Sequence, residues 1–260
     1  MCGRFVSARK RLELLDEFSI ERDRVPDGPE PEPSPDYNVA PTKRVFAVIE
    51  RPARDDEPQA RELRVVRWGL VPFWAKDASG GGRLINARAE TIATKPAFRR
   101  AFAKRRCLLP ADGYYEWQPQ AVEQDGRKTR KQPYYIFRKD GGELAFSGIY
   151  DLWRDEALPD DHERAWLWTA AIITTQASDD VGQIHDRMPM TIAPQAWADW
   201  LDPATSDLGQ LQATMVPAMA GGLTSYPVSM AVNSVRNNGP ELIRPQPESA
   251  EGERPPGELF

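Results

Sequence analysis

The run Cys107-Leu108-Leu109-Pro110-Ala111-Asp112-Gly113-Tyr114-Tyr115-Glu116-Trp117 sets the expectation for the fold. It carries two short apolar and aromatic segments, Cys107–Leu109 and Tyr114–Trp117, of strand length and strand composition. Arg44–Ile49 and Leu63–Trp68 read the same way upstream, and Tyr134–Arg138, Leu144–Tyr150, Ala165–Thr174 and Tyr226–Val232 downstream. Helical spacing is scarcer. Leu12, Leu14, Leu15 and Phe18 predict a helix over Ala8–Phe18 with Ser7 as its cap. Thr94 is placed to cap a helix from Lys95 to Lys104, with Pro96 in its first turn. Pro194–Leu201 and Asp207–Met215 complete the set. Strands outnumber helices and do not alternate with them. The expectation is therefore an α+β single domain: a mixed, largely antiparallel sheet with a barrel-like core and flanking helices.

Three segments fall outside this pattern. Residues 21–36, ERDRVPDGPEPEPSPD, are acidic and proline-rich and predict a surface insertion. The charged stretch Glu50–Glu62 predicts a long hairpin loop. Residues 244–260 predict a disordered tail, which leaves 2–243 as the domain.

A chain of 260 residues with 40% hydrophobic and 28% charged side chains can bury a large core. Its two cysteines, Cys2 and Cys107, and two histidines, His162 and His185, are too far apart in sequence for a disulfide framework or paired zinc ligands. No metal and no organic cofactor are expected. The opening Met-Cys-Gly-Arg-Phe lacks the apolar core of a secretory signal, and no apolar run nears the roughly 20 residues of a membrane span. A cytoplasmic protein without a membrane partner is expected. Net charge is −5, yet Arg83–Cys107 holds eight basic residues against one acidic residue, Glu90. Such local charge suits phosphates, and it equally suits a solvated helix face.

The residue with the most distinctive chemistry is Cys2. Loss of Met1 leaves an α-amine and a thiol on adjacent carbons. The amine, with an ordinary pKa of about 7.7–8.0, is partly neutral near pH 7, and a thiol near about 8.5 is partly thiolate. A 1,2-aminothiol captures aldehydes: the amine forms an imine, and the sulfur then closes a five-membered thiazolidine. Position alone leaves the alternative of an ordinary second residue. Asn38 lies in YNVAPT with Pro41, a pattern that also reads as a turn. Asn86, in LINARAET, reads either as a satisfied buried amide or as one aimed at a substrate oxygen, with Arg88 for a phosphate. Glu116 sits between aromatic residues, where desolvation would raise its pKa into the range of a proton shuttle, or else it lies on a wet sheet face. His185, beside Asp186 and Arg187, is open to pKa tuning or is structural. Trp68 and Trp74 would stack bases or fill the core. The glycines Gly80–Gly82 form a candidate phosphate cradle, without the ending of a P-loop.

Taken in order, MCGRF, YNVAPT, WGLVPFW, INARAET, CLLPADGYYEW and IHDRMP resemble the SOS-response-associated peptidase (SRAP) family, the abasic-site processing proteins. The resemblance runs from Cys2 to about Ile243 and includes Ala231–Gly239. It implies a covalent crosslink between a mature N-terminal Cys2 and abasic sites in single-stranded DNA, including those at single-strand/double-strand junctions. It further implies that Asn86 holds the reacting group. By the same resemblance, Glu116 relays protons and assists reversal, and His185 protonates the sugar oxygen. Thr174 would line the site. Arg4 and Arg88 would meet phosphates, and Asn38, Pro41, Trp68 and Trp74 would complete the DNA surface. Lyase and autoproteolytic activity belong to the same expectation, as do a monomer and association with the nucleoid when DNA is bound. Two rivals stay open: an N-terminal cysteine hydrolase or amidotransferase, which needs a base and an oxyanion hole, and a non-catalytic DNA-binding module.

Overall fold

The computed structural model describes residues 2–26, 32–33, 35–54, 56–119, 131–162, 164–177, 179–215 and 221–246. Its first half runs β1 (Arg4–Ser7), α1 (Arg11–Glu17), β2 (Arg22–Asp23), β3 (Asp36–Val39), β4 (Arg44–Arg51), β5 (Ala60–Trp68) and β6 (Asn86–Arg88). There follow α2 (Arg99–Lys104), β7 (Arg106–Ala111), β8 (Gly113–Pro119), β9 (Lys131–Arg138), β10 (Leu144–Arg154) and β11 (Trp166–Gln176). The chain closes with α3 (Asp179–Gly182), β12 (Arg187–Pro189), α4 (Trp197–Leu201), α5 (Leu208–Thr214) and β13 (Leu223–Pro227).

A closed ring is the central feature. β10 pairs antiparallel with β11 and β7, β7 with β4, and β4 with β5. A short parallel contact of β5 with β11, Thr169 opposite Arg67 and Ala170 opposite Trp68, shuts the ring. The expected barrel-like core is thus present, and closure removes the exposed edges a flat sheet would carry. β6 pairs with β11 just beyond β5, from Ile172 opposite Asn86 to Thr174 opposite Arg88. β5 and β6 therefore dock one after the other on the same flank of β11, and residues 69–85 bulge out between them. β12 and β2 extend this sheet. A second, antiparallel sheet runs in the order β13-β9-β8-β1-β3.

Alternation along each strand sorts the core. Val45, Ala47 and Ile49 of β4 face the barrel interior, together with Trp68, Leu109, Phe146 and Ile172. Phe5 and Tyr114 of the second sheet cap that interior, with Phe5 edge-on to Trp68 at 5.1 Å and to Phe146 at 5.9 Å. Phe46 and Val48 point the other way, toward Leu14, Phe18, Phe102 and Trp200 of the helices. The outer face of the second sheet packs Val6, Tyr115 and Tyr135 on Val228 and Val232.

Several boundaries differ from the sequence reading. Ser7 is a strand residue; α1 starts later, and Glu13 accepts from the Lys10 amide at 2.8 Å. Thr94 caps no helix: its hydroxyl donates to the Thr91 carbonyl at 3.1 Å, and turns fill the chain until α2 begins at Arg99. The strand expected over Tyr226–Val232 ends at Pro227, and Met230–Asn233 form a 3-10 turn. The loop expected at 50–62 shrinks because β4 and β5 run into it; Glu62 is buried and meets Arg64 at 2.7 Å. The insertion 21–36 is not wholly surface. Arg22–Asp23 pair with β5, and Val25 is buried. Its residues 27–31 and 34 lie outside the described residues, as do 247–260 of the expected tail. The first residues of that expected tail are instead held to the domain: the Gln246 amide donates to the Pro227 carbonyl at 2.9 Å. No helix among the described residues is long and apolar enough to cross a membrane.

Candidate active site

β1 lies between β8 and β3 with Arg4 opposite Tyr115, so the chain before it runs back alongside Glu116. Cys2 ends up wholly buried at the edge of the barrel interior, its thiol directed at the Arg4 carbonyl 3.7 Å away. The parallel pairing of β6 on β11 brings Asn86 to the same place. Its Nδ2 donates to the Cys2 carbonyl at 2.7 Å. Its Oδ1 is buried and has no hydrogen-bond partner among the described residues. An amide that spends one end on the Cys2 backbone and keeps the other unpaired is placed to accept a hydrogen bond from a substrate.

Electrostatics sharpen this picture. Burial, reinforced by the negative charge of Glu116, pushes the Cys2 thiol well above its ordinary range. The partly ionised thiol expected from sequence is thereby corrected: the resting residue is a neutral thiol and needs a base. Glu116 is a candidate base. It lies 3% exposed on β8, on the face it shares with Tyr114. Burial pushes its pKa up to about 7, with Asp186 adding to the rise and Lys131 opposing it. A carboxyl group poised near neutrality can both give and take a proton. The Tyr114 hydroxyl, also raised by burial and by the charges of Cys2 and Glu116, is buried without a hydrogen-bond partner among the described residues.

His185 lies between α3 and β12. Burial first, and the nearby Lys131 and Arg187 charges, hold its pKa below the usual value, against the pull of Asp186. Two contacts compete for its Nδ1. The Arg187 amide donates to it at 3.0 Å, which needs an unprotonated nitrogen, and Asp186 approaches at 2.8 Å, which needs a protonated one. The lowered pKa favours the first, because a neutral ring accepts at Nδ1 and carries its proton on Nε2. Lys131 and Asp186 act on both Glu116 and His185, so the two lie near the same charges.

The other expected residues separate into groups. Thr174 is buried opposite Arg88, its hydroxyl and carbonyl both accepting from Arg187 at 3.3 and 2.6 Å. Arg88 is exposed two residues beyond Asn86, free to meet an anion. Arg4 and Asn38 are committed elsewhere. Arg4 donates to Asn38 Oδ1 at 2.8 Å and to the Val232 carbonyl at 2.7 Å. Asn38, fully buried, donates to the Ser234 and Asn237 carbonyls at 3.0 Å each. Asn38 therefore pins the 232–237 segment and presents nothing to DNA. Trp68 is likewise corrected from a stacking platform to core: it is 0% exposed, and its indole donates to the Ile85 carbonyl at 3.0 Å. Trp74, 57% exposed, keeps a free face. Pro41 is half-buried in a turn that gives Thr42 a φ of 74°, a conformation rare for a β-branched residue. Within the glycine run, Gly81 is taken up by packing against Gly69. A Cβ on Gly81 would come within 2.8 Å of the Gly69 carbonyl, and one on Gly69, at φ 128°, within 2.7 Å of the Gly81 carbonyl. These glycines exist for that close approach.

Sequence reasoning missed Tyr114 and Arg187. Each sits two residues from a candidate, Glu116 and His185, and so shares its strand face or loop; that spacing was the available signal. Arg187 also holds Glu90 in a bidentate pair at 2.6 and 3.1 Å. No group of three or more metal-binding side chains occurs among the described residues.

Comparisons with known proteins converge on one family. Residues 1–235 match the family model described as SOS response associated peptidase (SRAP). The chain is 38% identical over 243 residues to abasic site processing protein YoaM of Bacillus subtilis, covering 94% of this chain and 97% of that one. It is 34% identical over 252 residues to abasic site processing protein YedK of Escherichia coli, covering 94% of this chain and all of that one. Among solved structures, a protein from Bacteroides thetaiotaomicron superposes with a TM-score of 0.74 at 25% identity, over 94% of this chain and 100% of that one.

Proposed function

Because the chain belongs to the SOS response associated peptidase (SRAP) family, we propose that it captures abasic sites in single-stranded DNA as a thiazolidine on Cys2 and so shields the lesion. The observation that carries this reading is the buried Cys2 held through its carbonyl by Asn86 beside a carboxyl group titrating near pH 7. The names of the relatives, abasic site processing proteins, point to the same substrate.

The mechanism follows from these groups. Removal of Met1, which lies outside the described residues, makes the α-amine of Cys2 the chain terminus. An abasic sugar is a cyclic hemiacetal. His185 Nε2–H donates a hydrogen bond to the ring oxygen, which takes a proton from solvent as the C1′–O4′ bond breaks, and the C1′ hydroxyl loses its proton to solvent, leaving an aldehyde. The neutral amine adds to C1′. Glu116, as the acid, protonates the hydroxyl of the resulting carbinolamine, which leaves as water and forms the iminium. Glu116, now the carboxylate, takes the proton of the Cys2 thiol, and the sulfur attacks the iminium carbon. One water is released overall, and Glu116 ends as it began. The high thiol pKa gives this last step its need for a base. Ring closure draws the imine away from β-elimination, the route to strand cleavage, so lyase activity is a leak that the sulfur suppresses. Exposed Arg88 suits a phosphate beside the lesion.

The experiment is incubation with a single-stranded oligonucleotide carrying one abasic site, followed by a denaturing gel and intact mass. The expected adduct mass is the sum of the partners less one water, with Met1 absent. Cys2→Ala should abolish it while salt-sensitive binding persists. A stable adduct in Cys2→Ala, or on a chain that keeps Met1, refutes the reading. Ammonia release from glutamine without an adduct would favour an N-terminal hydrolase.

A further inference from the structure

At the end of the barrel away from Cys2, the ring of strands opens into a groove of about 940 Å³. β11 measures the separation. Thr174 lies by the site and Trp168 in the groove, so six strand residues place them about 20 Å apart. The groove's cationic lining comes from two elements and the residues that follow them: Arg51 at the end of β4 with Arg54 beyond it, and Arg100 and Lys104 on α2 with Arg105 after it. Its aromatic lining is Phe73, Tyr150, Trp166 and Trp168. No acidic side chain lines it among the described residues.

Inward alternation produces this arrangement. Arg51 continues the interior face of Val45, Ala47 and Ile49, and Arg64 continues that of Val66. Both guanidiniums lie over the Trp168 ring, at 5.9 and 4.3 Å from its centre. Side chains that would be apolar deeper in the barrel are here cationic and stacked. Arg105 is tied to buried Asp151 and Arg64 to Glu62, whereas Arg51, Arg54, Arg100 and Lys104 make no ion pair among the described residues. Arg54 and Arg64 instead repel Arg51, whose pKa burial and these charges hold below the usual arginine range. Trp166 is 49% exposed and Phe73 43%, the latter under Arg100 at 3.9 Å. The Phe73 amide donates to Asp151 at 2.9 Å and the Trp153 indole to the Ala75 carbonyl at 2.7 Å. These bonds fix the 70–77 loop, with exposed Trp74, as one rim.

We propose that this barrel mouth is a second nucleic-acid site, taking an extended single strand with its phosphates on Arg51, Arg54, Arg100 and Lys104 and a base on Trp166. Uncompensated cations beside an open aromatic face are the pairing that grips single strands without reading their sequence. The partner rests on the function proposed above only in that the strand is DNA; the groove's chemistry stands by itself.

The test uses unmodified oligodeoxythymidylates, with no abasic site, of about 6 and about 20 nucleotides, one near the lower end of the ~4–16 nucleotides of known single-strand grooves and one beyond its upper end. Anisotropy is read across a salt series for the wild type, the double variant Arg100→Gln/Lys104→Gln, and Trp166→Ala. Affinity should rise with length in the wild type. The double variant should lower the slope of log affinity against log salt by about 1.4, the value for two single-strand phosphates. Trp166→Ala should weaken the long oligomer about 5- to 100-fold. Crosslinking of a short abasic oligomer should be unchanged in both. Unchanged long-oligomer binding in the two variants overturns the proposal. So does competition by thymidine monophosphate with no dependence on length, or loss of short-oligomer crosslinking in a variant that melts like the wild type. A wild type that binds by length yet never crosslinks would sink the proposed function and leave this inference standing.

Discussion

Replacing Glu116 with Gln should make the protein more stable and less active, and the stability gain should depend on pH. The folded carboxyl group titrates near 7 where the ordinary value is 4.5. A gap of about 2.5 pH units corresponds to about 3 kcal/mol at 1.36 kcal/mol per unit. The sign follows from proton counting. Between pH 4.5 and 7 the unfolded chain has released this proton and the folded chain still holds it. Folded stability therefore falls as pH rises through that window and levels off above it. Glutamine carries no such proton. Glu116→Gln should exceed the wild type by about 3 kcal/mol at pH 8 but by less than ~1 kcal/mol at pH 5. For a domain of this size that is a Tm gain of about 6–12 °C at pH 8. Paired thermal melts at the two pH values measure it. The same variant should form the abasic adduct about 100-fold more slowly, because a positioned acid/base group typically contributes that much. An equal Tm difference at both pH values refutes the burial argument. Full-rate crosslinking refutes the proton relay.

Two further substitutions separate scaffold from surface. Trp68→Ala should lower stability by about 3–5 kcal/mol, the usual result of deleting a large buried ring, whereas Trp74→Ala should leave the melt unchanged and weaken DNA binding; equal effects on stability would contradict the burial assigned to the two rings. Asn38→Ala should destabilise by about 2–4 kcal/mol, because it removes the hydrogen bonds that the buried amide makes with Arg4 and with the Val232, Ser234 and Asn237 carbonyls. A stable Asn38→Ala variant that loses only DNA affinity would restore Asn38 to the binding surface.

The long strands could be read from sequence because alternation and β-branched composition are local properties. β4, β5, β7, β8 and β10 each lie within a few residues of the segments expected. The helices came out shorter than their apolar spacing suggested. At Thr91–Phe98 the chain satisfies its amides through successive turns, which no spacing rule separates from a helix start. β6 and β12, three residues each, carry too little pattern to be seen and exist because β11 offers them an edge. Barrel closure depends on two residue pairs between β5 and β11, about a hundred positions apart.

For the candidate site, the sequence alone determined which chemistry is possible: an aminothiol at Cys2, an amide, a carboxyl group and an imidazole in a fixed order. These are properties of covalent structure and survive any fold. Only the tertiary structure decided how each group behaves. It buried Cys2 and so made the thiol a proton donor in need of a base. It lifted the Glu116 pKa to about 7 and lowered that of His185, whose Nδ1 accepts from the Arg187 amide. It also turned Asn38 and Trp68 from surface to scaffold. Desolvation and hydrogen bonding are set by neighbours distant in sequence, here β6, β8 and β12 converging on the start of the chain, so no local pattern could have revealed them.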